Sequence, residues 1–279
     1  NKAAGEMKER VAALVGPVAQ KMWVSTFHSA CVRILRRDGH RLGYPSSFTI
    51  YDQADAQRLV GYVVRDLNLD AKRFPPRSVH AIISAAKNDD VSPEEYRTRA
   101  EQIFERKVGD VYVEYQARLH KAGAMDFDDL LRNAVELFRT QPDVLDHYRR
   151  RFQHVLVDEY QDTNRVQNEL VLQLAGGHHN ICVVGDSDQS IYRFRGADIR
   201  NILEFEEAFP DATVIVLEQN YRSTQTILDA ANAVIANNVG RKPKELWTDE
   251  GDGHAIIRYH ADDEGDEAQW VVHEIAKLH

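Results

Sequence analysis

Residues 154–167, HVLVDEYQDTNRVQ, decide how this chain folds and where its chemistry lies. An apolar run leads directly into two adjacent carboxylates, Asp158 and Glu159, and a polar stretch follows them. A short run rich in valine and bounded by polar residues is typical of a buried strand in a parallel sheet. Side chains just beyond the carboxyl end of such a strand face the ligand crevice of the sheet. The stretch therefore predicts a strand that presents two acids to a bound ligand.

Four more short apolar runs alternate with helical patterns along the chain. This alternation predicts an α/β fold, with a mostly parallel sheet and helices on both of its faces. The runs are WVSTFH (23–28), NICVVGD (180–186), TVIVLEQ (213–219) and HAIIRYH (254–260), and the helical patterns cover 1–15, 163–175, 199–209 and 224–238.

Residues 50–125 break this alternation and predict an all-helical insertion. Asp52 precedes one helical pattern as its N-cap, and Ser92 begins another with Glu95 three residues later, which is the spacing of a capping box. A further apolar pattern recurs every three or four residues, as one face of a helix requires. Gly109 lies within that pattern, where we expect it to bend or divide the helix.

The composition is that of an ordinary globular protein, with 43% hydrophobic and 28% charged residues among 279. No apolar run approaches the roughly 20 residues of a membrane helix, and the polar start does not resemble a signal peptide. Cys31 and Cys182 match no metal spacing and predict small buried hydrophobic residues in a reducing cytoplasm. Because the chain begins without Met and stops inside a helical pattern, we expect part of a longer protein.

The net charge of −9 excludes nucleic-acid binding by bulk attraction alone. A binder of this charge needs a local basic track. The candidates are Arg33, Arg36, Arg37, Arg41 and the run at 149–151, although each alone is typical of a solvated helix face.

Three stretches carry side chains suited to nucleotide and base contacts. After HVLV, one carboxylate can hold Mg²⁺ and its neighbour can orient or deprotonate a water. After NICVV, the amide of Gln189 can bind a terminal phosphate, while aromatic and arginine side chains alternate at 192–195 and suit bases and phosphates. After TVIVLEQ, Tyr221 can stack on a nucleobase and Arg222 can stabilise a transferring phosphoryl group.

Together these stretches strongly resemble the superfamily 1 helicases of the UvrD/PcrA/Rep group. The resemblance covers essentially the whole chain, with the motifs in the family order. The matches are NKAA (1–4) to the end of motif Ia, STFHSACVRIL (25–35) to motif Ib, MDFDDLL (125–131) to the return from the helical insertion, VDEYQDTN (157–164) to motif II, VVGDSDQSIYRFRGAD (183–198) to motif III and LEQNYRST (217–224) to motif IV.

The resemblance implies a fold, an activity and residue roles. The implied fold is a RecA-like domain 1A (1–49 and 126–222) interrupted by a helical domain 1B (50–125), with the start of domain 2A at 223–279. The implied activity is ATP-dependent, Mg²⁺-dependent 3′-to-5′ movement along single-stranded DNA with unwinding of duplex. The implied setting is the bacterial cytoplasm at the nucleoid, with single-strand/duplex junctions as substrates and DNA repair proteins as partners.

The residue roles follow the same motifs. At the nucleotide, the resemblance implies that Asp158 binds Mg²⁺, Glu159 activates the water, Gln189 and Arg222 contact the γ-phosphate and Tyr221 packs near the adenine. Gln161 is expected to link this site to the DNA. The implied DNA contacts are Asn1, Thr26, His28, Phe127, Tyr192, Phe194 and Arg195. Other roles stay open for two of these residues: His28 can have a core or capping role, and Phe127 can pack against a helix. Asp126, Asp128 and Asp129 suit the start of a helix.

The sequence also departs from the family pattern. Phe194 stands where many relatives carry Trp, which predicts weaker base stacking. No GxxxxGK[ST] phosphate loop occurs in the 279 residues, and motifs V and VI do not occur either. We therefore expect this chain by itself to be inactive. Two alternatives remain: a non-catalytic DNA-binding or interaction module, and a metal-dependent nuclease using Asp158, Glu159 and the cluster at 126–129.

Overall fold

The computed structural model describes residues 2–239 and 241–278, apart from the side chain of Arg195. They divide into two compact units, residues 2–212 and 213–278, and each unit is described by itself.

Two short pairs of parallel strands lie in the larger unit. Strand β1 (Thr49–Ile50) pairs with β2 (Ala124–Met125), and β3 (Val155–Val157) pairs with β4 (Ile181–Val183). In the second pair the register places Val155 opposite Ile181. The carboxyl ends of β3 and β4 therefore lie side by side, as the parallel arrangement predicts.

Helices fill most of the larger unit. They are α1 (Lys2–Val15), α2 (Phe27–Asp38), α3 (Gln53–Asp66), α4 (Pro76–Asn88), α5 (Pro93–Arg99), α6 (Ile103–Lys121), α7 (Phe127–Thr140), α8 (Pro142–Arg151), α9 (Arg165–Ala175), α10 (Arg200–Leu203) and α11 (Phe205–Ala208).

Helix α7 is at the centre of the main apolar core. It packs against α2, α8 and α9 because the apolar residues of FDDLLRNAVELF recur on a broad face of the helix. The buried side chains of this core include Cys31, Leu35, Met125, Leu130, Val135, Phe138 and Tyr148.

Residues 53–121 contain a second apolar core, built by α3, α4 and α6. The predicted caps are confirmed: Asp52 Oδ1 accepts a hydrogen bond from the Asp55 amide at 2.8 Å, and Ser92 Oγ accepts one from Glu95 at 3.0 Å. Gly109 does not divide the helix, because α6 runs through it unbroken. A Cβ at this position would lie 3.2 Å from the Arg97 backbone, so glycine allows α5 to pack closely.

The sequence predicted five strands, and two of them form. The runs at 154–159 and 180–186 contain β3 and β4, but those at 23–28, 213–219 and 254–260 form no strand. A strand needs a neighbour to satisfy its backbone groups, and these runs pair with no other strand. The prediction for Cys182 was also wrong, since its side chain is exposed while Cys31 is buried.

The smaller unit contains α12 (Gln225–Ile235) and α13 (Glu264–Leu278). A parallel β-bridge joins Gln219 to Trp247. The amide of Asn232 donates to the Leu246 carbonyl at 2.9 Å and accepts from the Leu246 N–H at 3.1 Å, so α12 is tied to the segment that carries this bridge.

Candidate nucleotide and DNA site

Asp158 and Glu159 follow β3 directly, and both side chains are exposed. Glu159 has a left-handed backbone, with φ of 53° and ψ of 44°, which is uncommon for a residue other than glycine. Its N–H donates to Asp158 Oδ1 at 3.0 Å. Strained backbone of this kind is concentrated at functional sites. Here it turns the chain sharply, so that two consecutive carboxylates both reach solvent at the rim of the sheet.

Gln161 joins the ends of the two strands. Its buried side chain donates from Nε2 to Glu159 Oε2 at 2.8 Å and accepts from the Asp186 N–H at 3.0 Å. Asp186 Oδ2 in turn accepts from Gln189 Nε2 at 2.8 Å. A continuous chain of hydrogen bonds therefore connects Glu159 to Gln189, two residues that the sequence placed in one site.

Gly185 allows this connection to form. A Cβ at this position would lie 2.5 Å from Gln161 Oε1, closer than packed atoms approach. The neighbouring backbone holds the same two loops together, since the Tyr160 N–H donates to the Val184 carbonyl at 2.9 Å. Glycine is therefore required where the loop after β4 passes the loop after β3.

A wide groove of about 1920 Å³ lies beside these loops. One of its walls is a face of α4, and another is the loop that follows Gln189. The lining includes Arg77, His80, Asn88, Phe127, Arg193 and Phe194.

Of the predicted aromatic residues, Phe127 and Phe194 line this groove, Tyr192 lies two residues before Phe194, and all three side chains are exposed. Phe194 is 78% exposed, Phe127 is 51% exposed and Tyr192 is 37% exposed. The rings of Tyr192 and Phe194 have centroids 6.0 Å apart. Exposed aromatic side chains beside a groove are the kind of group on which bases stack in proteins that bind single strands.

His28 contacts Phe127 edge to face, with ring centroids 5.8 Å apart. Burial lowers the pKa of His28, and the carboxylate of Asp128 partly offsets that effect. Thr26 is the N-cap of α2, and its Oγ1 accepts from the Ser29 N–H at 3.4 Å. The structure thus brings His28 and Phe127 together and gives Thr26 a capping role.

Asp126 and Asp129 have the structural role that suits a helix start. They form a reciprocal capping box at the beginning of α7, and both are buried. Nζ of the buried Lys87 lies 2.7 Å from an oxygen of each carboxylate. Because their oxygens are directed at Lys87 and the helix start, these two acids are not available to join Asp158 in a nuclease site.

Lys87 and Asn88, at the end of α4, are two further residues of the site that were not predicted from the sequence. The signal for Lys87 was its spacing, because it falls on the buried face of α4 with Val79 and Ile83. A lysine on an apolar helix face requires a buried partner of opposite charge. No comparable signal marked Asn88, whose partners Asp128 and Asn164 lie far away in the sequence.

Three arginines of the candidate basic track make contacts within the chain. Arg36 donates to the Ser46 carbonyl at 2.8 Å, and Arg41 pairs with Asp143 at 2.9 Å. Arg33 stacks over the ring of Trp23 with its guanidinium carbon 3.8 Å from the centroid. These three arginines therefore have structural roles within the chain.

Tyr221 and Arg222 lie in the smaller unit, and both are exposed. Asn220 Oδ1 accepts from the backbone N–H groups of Arg222 at 2.9 Å and Ser223 at 2.8 Å. This turn projects both side chains into solvent. The predicted roles of Tyr221 and Arg222 at the nucleotide stay predictions. The predicted DNA contacts of Asn1 and of the Arg195 side chain also stay predictions, because these two groups lie outside the described residues.

The acids after β3 fit a magnesium site of the kind found with phosphates. Mg²⁺ prefers oxygen ligands and is commonly held by one or two carboxylates together with waters and substrate phosphates. Asp158 supplies one exposed carboxylate of this kind. Among the described residues, no cluster of three or more His, Cys, Asp or Glu side chains forms a metal cage. The described helices also include none long and apolar enough to cross a membrane.

The chain is similar to known helicases over its whole length. The family described as UvrD/REP helicase N-terminal domain matches residues 1–210, and the UvrD-like helicase C-terminal domain matches residues 215–279.

Individual relatives agree with the family match. The ATP-dependent DNA helicase PcrA of Bacillus subtilis (strain 168) is 54% identical over 279 residues, which are 100% of this chain and 38% of that protein. UvrD1 of Mycobacterium tuberculosis (strain ATCC 25618 / H37Rv) is 53% identical, again over 100% of this chain and 38% of that protein. PcrA of Staphylococcus aureus (strain NCTC 8325 / PS 47) is 52% identical over 99% of this chain.

The chain thus spans about two fifths of the length of these relatives, 38% in each case. Since the first family match alone covers residues 1–210, the chain belongs to the UvrD/REP helicase family, which implies a RecA-like fold.

Proposed function

We propose that this chain is the central part of an ATP-dependent DNA helicase that moves 3′-to-5′ along single-stranded DNA. The observation that carries the proposal is the chain of hydrogen bonds from Glu159 through Gln161 and Asp186 to Gln189. It begins at a water-activating acid, Glu159. It ends next to the loop 192–198, the aromatic loop, which carries Tyr192 and Phe194. Hydrolysis and base binding can therefore affect each other through a few side chains.

At the nucleotide, each predicted residue has a chemical task that suits its geometry. Asp158 would hold Mg²⁺, which neutralises phosphate charge when bound. Glu159 would orient the attacking water and accept its proton. Gln161 binds Glu159 Oε2, so that this carboxylate is held in one orientation with its other oxygen free to accept from a water.

The remaining nucleotide contacts come from amide, guanidinium and phenol groups. Gln189 and Arg222 would contact the γ-phosphate, and Tyr221 would pack near the adenine. A positioned arginine is worth about 10³–10⁵ in rate where this role has been measured. Opening and closing of the nucleotide cleft would then pass bases along the aromatic loop, a use of conformational closure known in other enzymes.

At the DNA, stacking rather than bulk charge would supply the affinity. Phe127, Tyr192 and Phe194 offer ring faces, each worth about 1–3 kcal/mol per stacked base. His28 and Arg195 would add polar contacts, and Asn1 and Thr26 would complete the path. Single-strand/duplex junctions are the proposed substrates, and DNA repair proteins in the bacterial cytoplasm at the nucleoid are the proposed partners.

The proposed domain organisation follows the same family. Residues 1–49 and 126–222 would form domain 1A, 50–125 the helical domain 1B and 223–279 the start of 2A. The separate apolar core of α3, α4 and α6 supports an independent helical domain. The parallel pairing of β1 with β2, on either side of this segment, supports an insertion that leaves and returns at one place.

The test is the substitution Glu159→Gln in the full-length protein. We expect DNA-stimulated ATP hydrolysis to fall by about 10²-fold or more, as for loss of a general base, while ATP and oligonucleotide binding persist. Glu136→Gln, which changes an exposed acid on α7, is the matched control. Strand displacement on 3′-tailed and 5′-tailed duplexes gives the direction. Normal ATP hydrolysis by Glu159→Gln, or unwinding from the 5′ tail alone, would contradict the proposal.

A second candidate is that the 279-residue chain by itself is a non-catalytic DNA-binding module. The absence of GxxxxGK[ST] from its sequence favours this candidate, because that loop cradles the phosphates. The measurement is Mg·ATP turnover by the isolated chain. We expect none, with oligonucleotide binding retained, and measurable turnover would refute the inert module.

A further inference from the structure

Asn88, at the end of α4, contacts its own helix and two other parts of the larger unit. Its Oδ1 accepts a hydrogen bond from Asn164 Nδ2, at the end of motif II. Its Nδ2 donates to Asp128 Oδ1 at 3.0 Å and to the Ser84 carbonyl at 2.8 Å. One partly buried amide therefore connects α4 to the start of α7 and to the loop after β3.

The direction of these bonds is fixed by the surroundings. Asn164 Oδ1 accepts from the Gln167 N–H at 2.8 Å as the N-cap of α9, so its NH₂ group is directed at Asn88. The Asn88 oxygen must accept this hydrogen bond, and its NH₂ group is left to face the Asp128 carboxylate. An aspartate at position 88 could keep the first bond but not the second.

The same side chain supports the aromatic loop. Gly196 has φ of 86°, and a Cβ there would lie 3.4 Å from Asn88 Cβ. Two residues later, the Asp198 N–H donates to the Thr163 carbonyl at 2.9 Å. The loop that carries Tyr192 and Phe194 thus rests on Asn88 and on the residues just before Asn164.

We propose that Asn88 is a positioning residue that holds the loop 192–198 at a fixed place relative to Phe127. The link to Phe127 passes through Asp128, its neighbour in the chain, and the link to the loop passes through Asn164 and Gly196. The inference rests on the proposed function. A fixed distance between Phe127 and the loop 192–198 matters only if Phe127 and the aromatic rings of the loop bind the same DNA strand. Asn88 itself touches no reacting group.

The experiment uses the 279-residue chain and three variants. Asn88→Asp places two carboxylates against each other. Asn88→Asp combined with Asp128→Asn restores one donor and one acceptor with the roles exchanged, and leaves the net charge unchanged. Gln153→Glu makes the same amide-to-acid change at an exposed position outside the groove and is the control.

Two measurements are made on each protein. Backbone hydrogen exchange follows the Asp198 amide, with the amides of α7 as the reference for intact folding. Fluorescence anisotropy follows binding of a labelled oligothymidylate. For Asn88→Asp we expect about tenfold faster exchange at Asp198 and about tenfold weaker oligonucleotide binding, the size of one lost hydrogen bond to a charged group. The double variant should recover most of both, and Gln153→Glu should change neither.

The outcomes separate this inference from the proposed function. Unchanged exchange at Asp198 in Asn88→Asp, or no recovery in the double variant, would overturn the role of Asn88. If the unaltered chain binds no oligonucleotide, the DNA-binding proposal fails. In that case the exchange measurements still decide whether Asn88 positions the loop.

Discussion

Lys87 Nζ lies 2.7 Å from Asp129 Oδ1, and both side chains are buried. The second acid of the group, Asp126, also accepts from the Tyr115 hydroxyl at 2.7 Å. Although burial lowers the pKa of Lys87, the two carboxylates raise it above its ordinary value. Lys87 therefore stays charged and joins α4 to the start of α7, one residue from Phe127.

Lys87→Met should destabilise the larger unit strongly. The substitution removes the cation but leaves two buried acids, and breaking a buried ion pair in this way costs about 3–5 kcal/mol. The free energy of unfolding, measured by urea denaturation, gives the change. Lys72→Met, at an exposed position, is the matched control. Equal stability of the two variants would show that the buried pair contributes no more than surface charge.

Gly185→Ala should disturb the connection between Glu159 and Gln189. The added Cβ would lie 2.5 Å from Gln161 Oε1 and 2.8 Å from Ile202 Cδ1, so either these side chains or the loop after β4 must move. Overpacking of this kind costs about 1–3 kcal/mol. Thermal denaturation should show the loss. Gly5→Ala is the control, because nothing lies within 4 Å and an alanine inside α1 should be neutral or stabilising. Equal effects of both changes would remove the steric argument.

Phe194 should determine part of the affinity for single-stranded DNA. Phe194→Ala should weaken oligonucleotide binding by about 1–3 kcal/mol, and Phe194→Trp should strengthen it, because a larger ring stacks better on a base. Stability should not change, since the side chain is 78% exposed. Ile191→Ala, at an apolar position that is 70% exposed, is the control in the same anisotropy measurement. Weaker binding by the control of the same size would indicate a general loop effect.

His80 should make stability depend on pH. Burial lowers the pKa of His80 below 6.5, and Lys87 adds to this effect while Asp126 and Asp128 oppose it. The folded state then binds fewer protons than the unfolded state, so stability rises with pH in this range. The stability that the folded protein has with His80 neutral is fully present above about pH 6.5. It is lost as the pH falls through the lowered pKa of His80 in the folded state.

His80→Gln removes this contribution. Between about pH 7.5 and pH 5.5, on either side of the ordinary histidine pKa, we expect the variant to lose less stability than the unaltered protein. Melting temperatures at both pH values provide the measurement, with His154→Gln at an exposed position as the control. Parallel losses in His80→Gln and the unaltered protein would contradict the assignment.

The sequence by itself determined the local features of this protein. The strands at 155–157 and 181–183, the caps at Asp52 and Ser92 and the motifs around Glu159 and Gln189 were all readable from short stretches. The caps depend on hydrogen bonds within a few residues, and the two strands show a local apolar pattern although they also need each other as partners. The three predicted strands that do not form lacked the one thing a local pattern cannot supply, a neighbouring strand.

Only the tertiary structure showed the roles of Lys87 and Asn88 and the hydrogen-bond partners of Gln161. Lys87 meets Asp126 and Asp129 across 39 and 42 residues, and Asn88 meets Asn164 across 76. No periodicity or spacing encodes contacts of this length. A buried charge or amide is stable only where a partner is brought to it, and the partner's position depends on how whole helices pack. Folding, and not the local sequence, therefore decided which side chains hold the groove together.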